Sequence, residues 1–332
     1  MLRAHGSSPP EHGTISRSLL PTVKKTILLT CVVATASLAQ DAPAFRSNVE
    51  IVVVPLTVVD AKGLAVAGVK RDEFHVFDND VRRPIENLWV DDDSPLTLGV
   101  IIDASESQKE QVAEHRQTAI ELLQRILRPG DRTFVISVDE NIRLWVDLTE
   151  ATLDIRRRMA GYPGGLFGEP CAKQETSAVG LRPISACGSS PLWDAIYDTA
   201  GLKLHSLTGN KALLILTDGF DSGSTHSWHQ AADAANRANA SVYAIQYRSA
   251  FGRSFAPQLY QLVADAGGTW FRAPGGQYGP IVSRIETDLR HRYILGFRPE
   301  RLSGKVRHDI RVEVTRPDLT VRARKTYFYE PR

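Results

Sequence analysis

Asp103, Ser105 and Ser107 stand at alternate positions in "LGVIIDASES", directly after an apolar run. A second apolar run, "ALLIL", ends in Thr217-Asp218-Gly219. Two carboxylates and two hydroxyls are hard oxygen donors. Such a set suits Mg²⁺, which takes octahedral oxygen ligands and keeps some of its waters. Two other chemistries compete for these residues. Asp and Ser favour helix N-caps, and Ser105 or Ser107 could cap a helix beginning near Lys109. Ser105 after a strand could also be a nucleophile, but no Gly-x-Ser-x-Gly elbow occurs. One cap needs one residue, so three polar groups at alternate positions favour the metal.

The elements around these residues decide whether they meet. "TLGVIID", "RTFVISV", "ALLILTD" and "SVYAIQY" are apolar on both faces, as strands of a parallel sheet covered on two sides must be. Helical patterns lie between them. "KEQVAEHRQTAIELLQRIL" puts Val112, Ala119, Ile120 and Leu123 on one stripe and stops at Pro129-Gly130. "LWDAIYDTAGLKL" and "IVSRIETDL" repeat the spacing, and "SFAPQLYQLVADAGG" ends on a glycine pair that signals a C-cap. The alternation predicts a doubly wound, mostly parallel α/β domain over residues 96–290. Ligands of such sheets bind beyond the C-terminal strand ends, where strand order reverses. Asp103 and Asp218 both fall at that rim.

The flanks read as β. Residues 45–93 hold "VEIVVVPLTVVDAKGLAVAG", with a turn at Asp60–Gly63, and "EFHVFDNDVRRPIENLWV", whose "DND" is a hairpin signal. Residues 292–332 alternate apolar and charged residues in "DIRVEVTR" and "LTVRARKTYFY". Each flank is short for an independent core, so the two are expected to pair into one small β-sandwich.

Asp103-Ala-Ser105-Glu-Ser107 resembles the Asp-x-Ser-x-Ser of the von Willebrand factor type A (VWA) domain's metal-ion-dependent adhesion site. The "LTDG" segment is similar to the strand that supplies its distal aspartate. "CGSSPLWDAIYD" is similar to the third loop of the family, with Ser190 at the threonine position. The layout also resembles the bacterial VWFA-related family called acidobacterial, in "DAKGLAVAGVKRDEFHVFDND", "QLVADAGGTWF" and "YILGFRPE". The resemblance covers nearly all of the chain after residue 39. It implies a Rossmann-like VWA fold holding Mg²⁺, with Mn²⁺ or Ca²⁺ as alternatives, at Asp103, Ser105, Ser107, Ser190 and Asp218. It implies direct ligation by Ser105 and Ser107, and contact mainly through water for Asp103 and Asp218. Ser190 would ligate directly in one state and through water in another. The open position would take an acidic group from a protein partner, so the expected function is metal-dependent binding or adhesion without catalysis. The alternative is an exported hydrolase using Ser105 or a metal-bound water.

Other candidates are weaker. His226 and His229 in "HSWH" have the spacing of a zinc pair, but no third ligand matches it, and surface histidines at a helix start fit better. Glu286 and Asp288 beside Arg290 and Arg292 read as a solvated helix face. No Gly-rich phosphate loop opens a helix. The chain has 332 residues, with 40 basic against 38 acidic, which gives no electrostatic case for nucleic acid.

The N-terminus reads as an export signal. Lys24 and Lys25 precede "TILLTCVVATASLA", too short to span a bilayer comfortably and ending in small residues. Residues 1–39 are thus expected to be removed, with the polar 1–22 read as an over-extended start. Thr30 is bulkier than the residue that normally precedes a lipidated cysteine, which disfavours an anchor at Cys31. The product is expected to be periplasmic or secreted, with no membrane span. Cys171 and Cys187 then form an even pair in an oxidising compartment, and a disulfide is expected beside Ser190.

Overall fold

The computed structural model describes residues 50–108, 110–150, 155–160, 189–252, 255–273, 275, 278–300 and 306–329. The expected signal and the Cys171–Cys187 pairing lie outside these residues. Four strands come first: β1 (Val52–Val59), β2 (Phe74–Asp78), β3 (Val81–Arg83) and β4 (Ile85–Asp91). The β2–β3 link is the expected two-residue hairpin turn, with Asn79 at φ 49° and Asp80 at φ 63°. Asn and Asp are among the few residues that tolerate two positive φ angles in succession.

The α/β unit follows. It comprises β5 (Leu96–Asp103), α1 (Val112–Ile126), β6 (Arg132–Val138), β7 (Ile142–Glu150), α2 (Ile155–Ala160) and α3 (Leu192–Asp198), which runs on as a π-helical turn, Thr199–Leu204. Then come β8 (Asn210–Thr217), α4 (Trp228–Arg237), β9 (Ala240–Gln246), α5 (Pro257–Asp265), β10 (Trp270–Arg272) and α6 (Gly279–Arg290). The last strands are β11 (Arg292–Phe297), β12 (Val306–Val314), β13 (Thr320–Ala323) and β14 (Thr326–Tyr329).

Six strands form the central sheet in the order β10-β9-β8-β5-β6-β7, all parallel except β7. Every residue of β5 and β8 is buried, because helices cover both faces. One face packs Ile101, Ile136 and Ile215 against Leu192, Ile196, Ala231 and Leu259 of α3, α4 and α5. The other packs Val100, Ile102 and Leu214 against Leu122, Leu123 and Ile285 of α1 and α6. Among the described residues no helix is long and apolar enough to cross a membrane.

The flanking strands form two antiparallel sheets, ordered β13-β1-β11-β4 and β14-β12-β2-β3. Each sheet mixes strands from both ends of the chain. β1 pairs with β11 and β13, β4 with β11, and β2 with β12. Their inner faces share one core of Val54, Leu56, Phe74, Val76, Leu295, Phe297 and Tyr327. Within it His308, Asp78 and Tyr327 form a buried polar knot, with Nδ1 of His308 2.6 Å and the Tyr327 hydroxyl 2.9 Å from Asp78 Oδ1.

The β13–β14 corner docks on the α/β unit. Asn236 donates to Thr326 Oγ1 at 2.7 Å, and the Lys325 N–H donates to the Asp265 carbonyl at 2.9 Å. Of the glycine pair after α5, Gly267 permits this contact and Gly268 lets the chain pass against β9. A Cβ on Gly267 would lie 2.6 Å from the Arg324 nitrogen, and one on Gly268 would collide with the Val242 carbonyl. Gly267 also has φ +72°, so it ends the helix in the left-handed conformation expected of a C-cap.

The end of α6 departs from expectation. Asp288, Arg290 and Arg292 are 1%, 3% and 4% exposed rather than solvated. That side of α6 turns into the junction with the sandwich, and charge pairing makes burial tolerable. Arg290 pairs with Asp131, Arg292 with Asp91 at 3.0 Å, and Asp288 with Arg322 at 3.0 Å. Only Glu286 keeps a partly solvated pair, with Arg125 at 3.3 Å. Asp131 also accepts the Leu96 and Arg128 N–H groups, each at 2.7 Å, so it ties β5, α1 and α6 together. Removing one partner of a buried pair strands the other charge, at a cost of about 3–5 kcal/mol. Asp131→Ala should lower the unfolding free energy by about that much in a urea titration, whereas Glu286→Gln should change it by less than about 1 kcal/mol. Equal effects would show that burial at Asp131 carries no such penalty.

Candidate metal centre

β5 and β8 are neighbours in register, Ile102 beside Leu216. From β5 the chain moves outward through β6 and β7, then returns to β8 on the other side. The strand order therefore reverses between β5 and β8, and Asp103 and Asp218 both sit at that reversal, fully buried.

Hydrogen bonds fix the carboxylates. Asp103 Oδ1 accepts the Ser105 N–H at 3.0 Å, and Oδ2 accepts the Thr217 hydroxyl at 2.5 Å. Asp218 Oδ1 accepts the Phe220 N–H at 3.1 Å, and Oδ2 accepts the Ser107 hydroxyl at 2.7 Å. Ser105 Oγ lies 3.2 Å from Ser107 Oγ. Four of the five residues expected from the sequence are thus joined in one cluster. The helix-cap role does not apply to the serines. Ser105 precedes and Ser107 lies within a 3₁₀ turn, Glu106–Gln108, while the N-cap of α1 is Gln111 and has no side-chain cap bond.

Ser190 arrives on the segment before α3, held against the loop that follows Asp218. Its N–H donates to the Ser222 carbonyl at 2.7 Å, and its carbonyl accepts the Ser222 N–H at 2.9 Å. Below that bridge the Trp193 N–H donates to Asp221 at 3.1 Å. The Asp194 carboxylate accepts the N–H groups of Thr225 at 2.9 Å and His226 at 2.8 Å. This ladder places Ser190 from the α3 side; Cys187 lies outside the described residues. The hydroxyls of Ser189 and Ser190 are buried without a hydrogen-bond partner. A buried hydroxyl normally has one, so these two are spare oxygen donors.

Electrostatics at the cluster are unfavourable without a cation. Burial, and then the charge of Asp218, push the Asp103 carboxyl up to about 6, against the pull of the Ser105 and Thr217 hydrogen bonds. His115 of α1 lies beneath, its Nδ1 3.1 Å from the Asp103 carbonyl and its ring against Tyr247. Burial pushes that imidazole down to about 4, so it is neutral near pH 7 and offsets none of the negative charge.

The joined donors fit a hard divalent cation: two carboxylates and two paired hydroxyls, with no thiolate or imidazole; the unpartnered Ser190 hydroxyl makes no hydrogen bond to them. Among the described residues no group of three or more His, Cys, Asp and Glu side chains is placed to hold a metal ion, so this set depends on its hydroxyls. The two histidines of "HSWH" are engaged separately. His226 stacks on Tyr197 and contacts Asp194 at 2.7 Å, while His229 stacks on Trp228. Sequence reading missed two residues. Thr217 holds Asp103 and also accepts the Gly219 N–H at 2.8 Å, and its place beside Asp218 in "LTDG" was a usable signal. His115 gave none, since only packing brings α1 over the end of β5.

No protein-family model matches the sequence, and no characterised protein matches it in sequence. Several solved structures are similar. The von Willebrand factor type A protein from Catenulispora acidiphila is 13% identical, covering 85% of this chain and 75% of its own, at a TM-score of 0.41. The conserved hypothetical protein BatB from Bacteroides thetaiotaomicron is 14% identical, covering 58% and 96%, at 0.42. The manganese-loaded TRAP protein of Plasmodium vivax is 13% identical, covering 72% and 97%, at 0.40. The mixed, mostly parallel six-stranded sheet with helices on both faces is the VWA-like fold expected from the sequence.

Proposed function

We propose that this chain is an exported, non-catalytic binding protein that holds Mg²⁺, or Mn²⁺ or Ca²⁺ in its place, and captures an acidic group of a protein partner. One observation carries the reading: Asp103 and Asp218 are buried at neighbouring strand ends, each held by a hydroxyl, and among the described residues no cation acts on Asp103. Ser105, Ser107 and Ser190 would hold the ion through their hydroxyls, and Asp103 and Asp218 mainly through water. The bound ion would supply an unfilled position with strong attraction for a carboxylate. The protein's own groups do the positioning. Thr217 fixes the Asp103 carboxylate, Ser107 fixes that of Asp218, and the Ser222 bridge sets the height of Ser190.

The hydroxyl partners favour binding over hydrolysis. Ser105 meets Ser107, and Ser107 meets Asp218. The nearby imidazole, His115, faces a backbone carbonyl rather than either serine. A nucleophilic serine needs a base within hydrogen-bond reach.

Mg²⁺ should raise the melting temperature of the wild-type protein, and Asp103→Asn should abolish that response. Capture of partners from a native envelope extract should require Mg²⁺ and stop with chelator. Reproducible ester or peptide turnover that disappears in Ser105→Ala would instead support the hydrolase.

The pH dependence of the metal-free protein has a defined sign. Asp103 titrates at about 6 when folded against an ordinary value of 3.8. The folded state therefore holds this proton more tightly, and stability falls as pH rises from about 4 to about 6. The loss is about 3 kcal/mol for a shift of that size. In chelator, Asp103→Asn should be more stable than wild type above pH 6, with the difference vanishing towards pH 4. A variant that is less stable than wild type across that range would remove the electrostatic basis of the site.

A further inference from the structure

The junction of sandwich and α/β unit contains a cleft of about 1090 Å³, lined by none of the five metal-site residues. Tyr260, Trp270 and Phe271 give it aromatic walls, and Thr269, Arg284 and Arg322 line it beside them. Arg284 belongs to α6 and Arg322 to β13, yet their guanidiniums converge. A side chain at Gly63, in the "DAKG" turn after β1, would collide with Arg284 Nη2 and lie 2.9 Å from Arg322 Nη2. Gly63 has φ +72°, so the turn favours glycine there in any case.

The two cations are unequally compensated. Arg322 donates to Asp288 and to Thr269, each at 3.0 Å. Arg284 has no hydrogen-bond or ion-pair partner among the described residues, and its Nε is buried. Asp288 Oδ1 is also buried and unpartnered, so Arg284 does not reach it. Asp288, and then Asp60, act on Arg284 only through their charge at longer range; Asp60 Oδ1 accepts the N–H groups of Lys62 and Leu64 at 2.9 and 2.8 Å. Burial, and then the charge of Arg322, hold the Arg284 guanidinium below its ordinary value. The other cations of the cleft have their own carboxylates: Arg307 with Asp233 and Asp309, Arg311 with Asp80 and Glu313, Lys325 with Asp265. Arg324 donates to the carbonyls of Asn236 and Val53.

Two guanidiniums held together against their repulsion offer a fork of N–H donors that matches an oxyanion. The Phe271 ring, 5.9 Å from Arg284 Cζ, closes one side with apolar surface. We propose that Arg284 and Arg322 form an oxyanion-binding site for a small molecule, whose carboxylate or phosphate head sits between them and whose apolar body rests on the aromatic wall.

The test uses the purified chain in chelator, so that its outcome is independent of the metal centre. Inorganic phosphate and benzoate are titrated separately by calorimetry. At least one should bind saturably; binding of phosphate alone indicates a tetrahedral head, and of benzoate alone a planar carboxylate on a ring. Arg284→Gln should weaken that binding about tenfold or more without lowering the melting temperature, since Arg284 has no partner to lose. Arg284→Lys keeps the charge but loses the fork, and should fall between the two. Saturation by neither probe, or wild-type affinity in Arg284→Gln, would overturn the assignment.

Discussion

Asp103 and Asp218 owe their closeness to the sheet. β5 and β8 must lie together because their side chains are apolar on both faces and find cover only in the centre of a parallel sheet. Once the strands are in register, their terminal carboxylates are side by side and out of water. Their repulsion explains why so many donors gather there. Thr217, Ser105 and Ser107 each donate to one of the two, and Phe220 adds a backbone N–H. These bonds moderate the charge without cancelling it, and the fold keeps a focus of negative potential at the strand-end rim where α/β sheets bind ligands.

The opposite end of the α/β unit solves the reverse problem. There the sandwich meets α6 and α4 through arginines: Arg322 to Asp288, and Arg324 to the Asn236 carbonyl. A polar seam of this kind holds its parts in a fixed register, because the hydrogen bonds its guanidiniums make depend on direction. An apolar seam would tolerate sliding. Gly267 belongs to the same arrangement, since its close approach to Ala323 and Arg324 leaves no side chain to slip past.

Much of this was legible because it follows from short-range pattern. Doubly apolar runs marked β5, β6, β8 and β9, and Asp103, Ser105, Ser107 and Asp218 stood at the ends of two of them. β7 escaped because an antiparallel edge strand is half exposed and carries charges at Arg143 and Asp147. β10 has only three residues, too few to show a period. The charged end of α6 misled for a different reason. Helical spacing shows that Asp288 and Arg290 are polar, but their partners, Arg322 and Asp131, lie far away in sequence, and only the folded chain reveals that they are buried. Ser190 came from resemblance rather than pattern, and its unpartnered hydroxyl is a fact of packing.

The pairing of β4 with β11 places Asp91 opposite Arg292. The whole α/β unit is therefore inserted between two neighbouring strands of the sandwich, leaving and returning at one point. Contacts between distant parts of a chain form slowly, because the intervening loop must close first. β1 to β4 leave the ribosome long before their partners and present unpaired strand edges in the interval. A folded α/β unit shortens the effective loop from about two hundred residues to the gap between its own ends. The Asp91–Arg292 ion pair, 3.0 Å across, fastens that gap. Once the inserted unit has folded, the pairing of β4 with β11 becomes as local as that of β2 with β3.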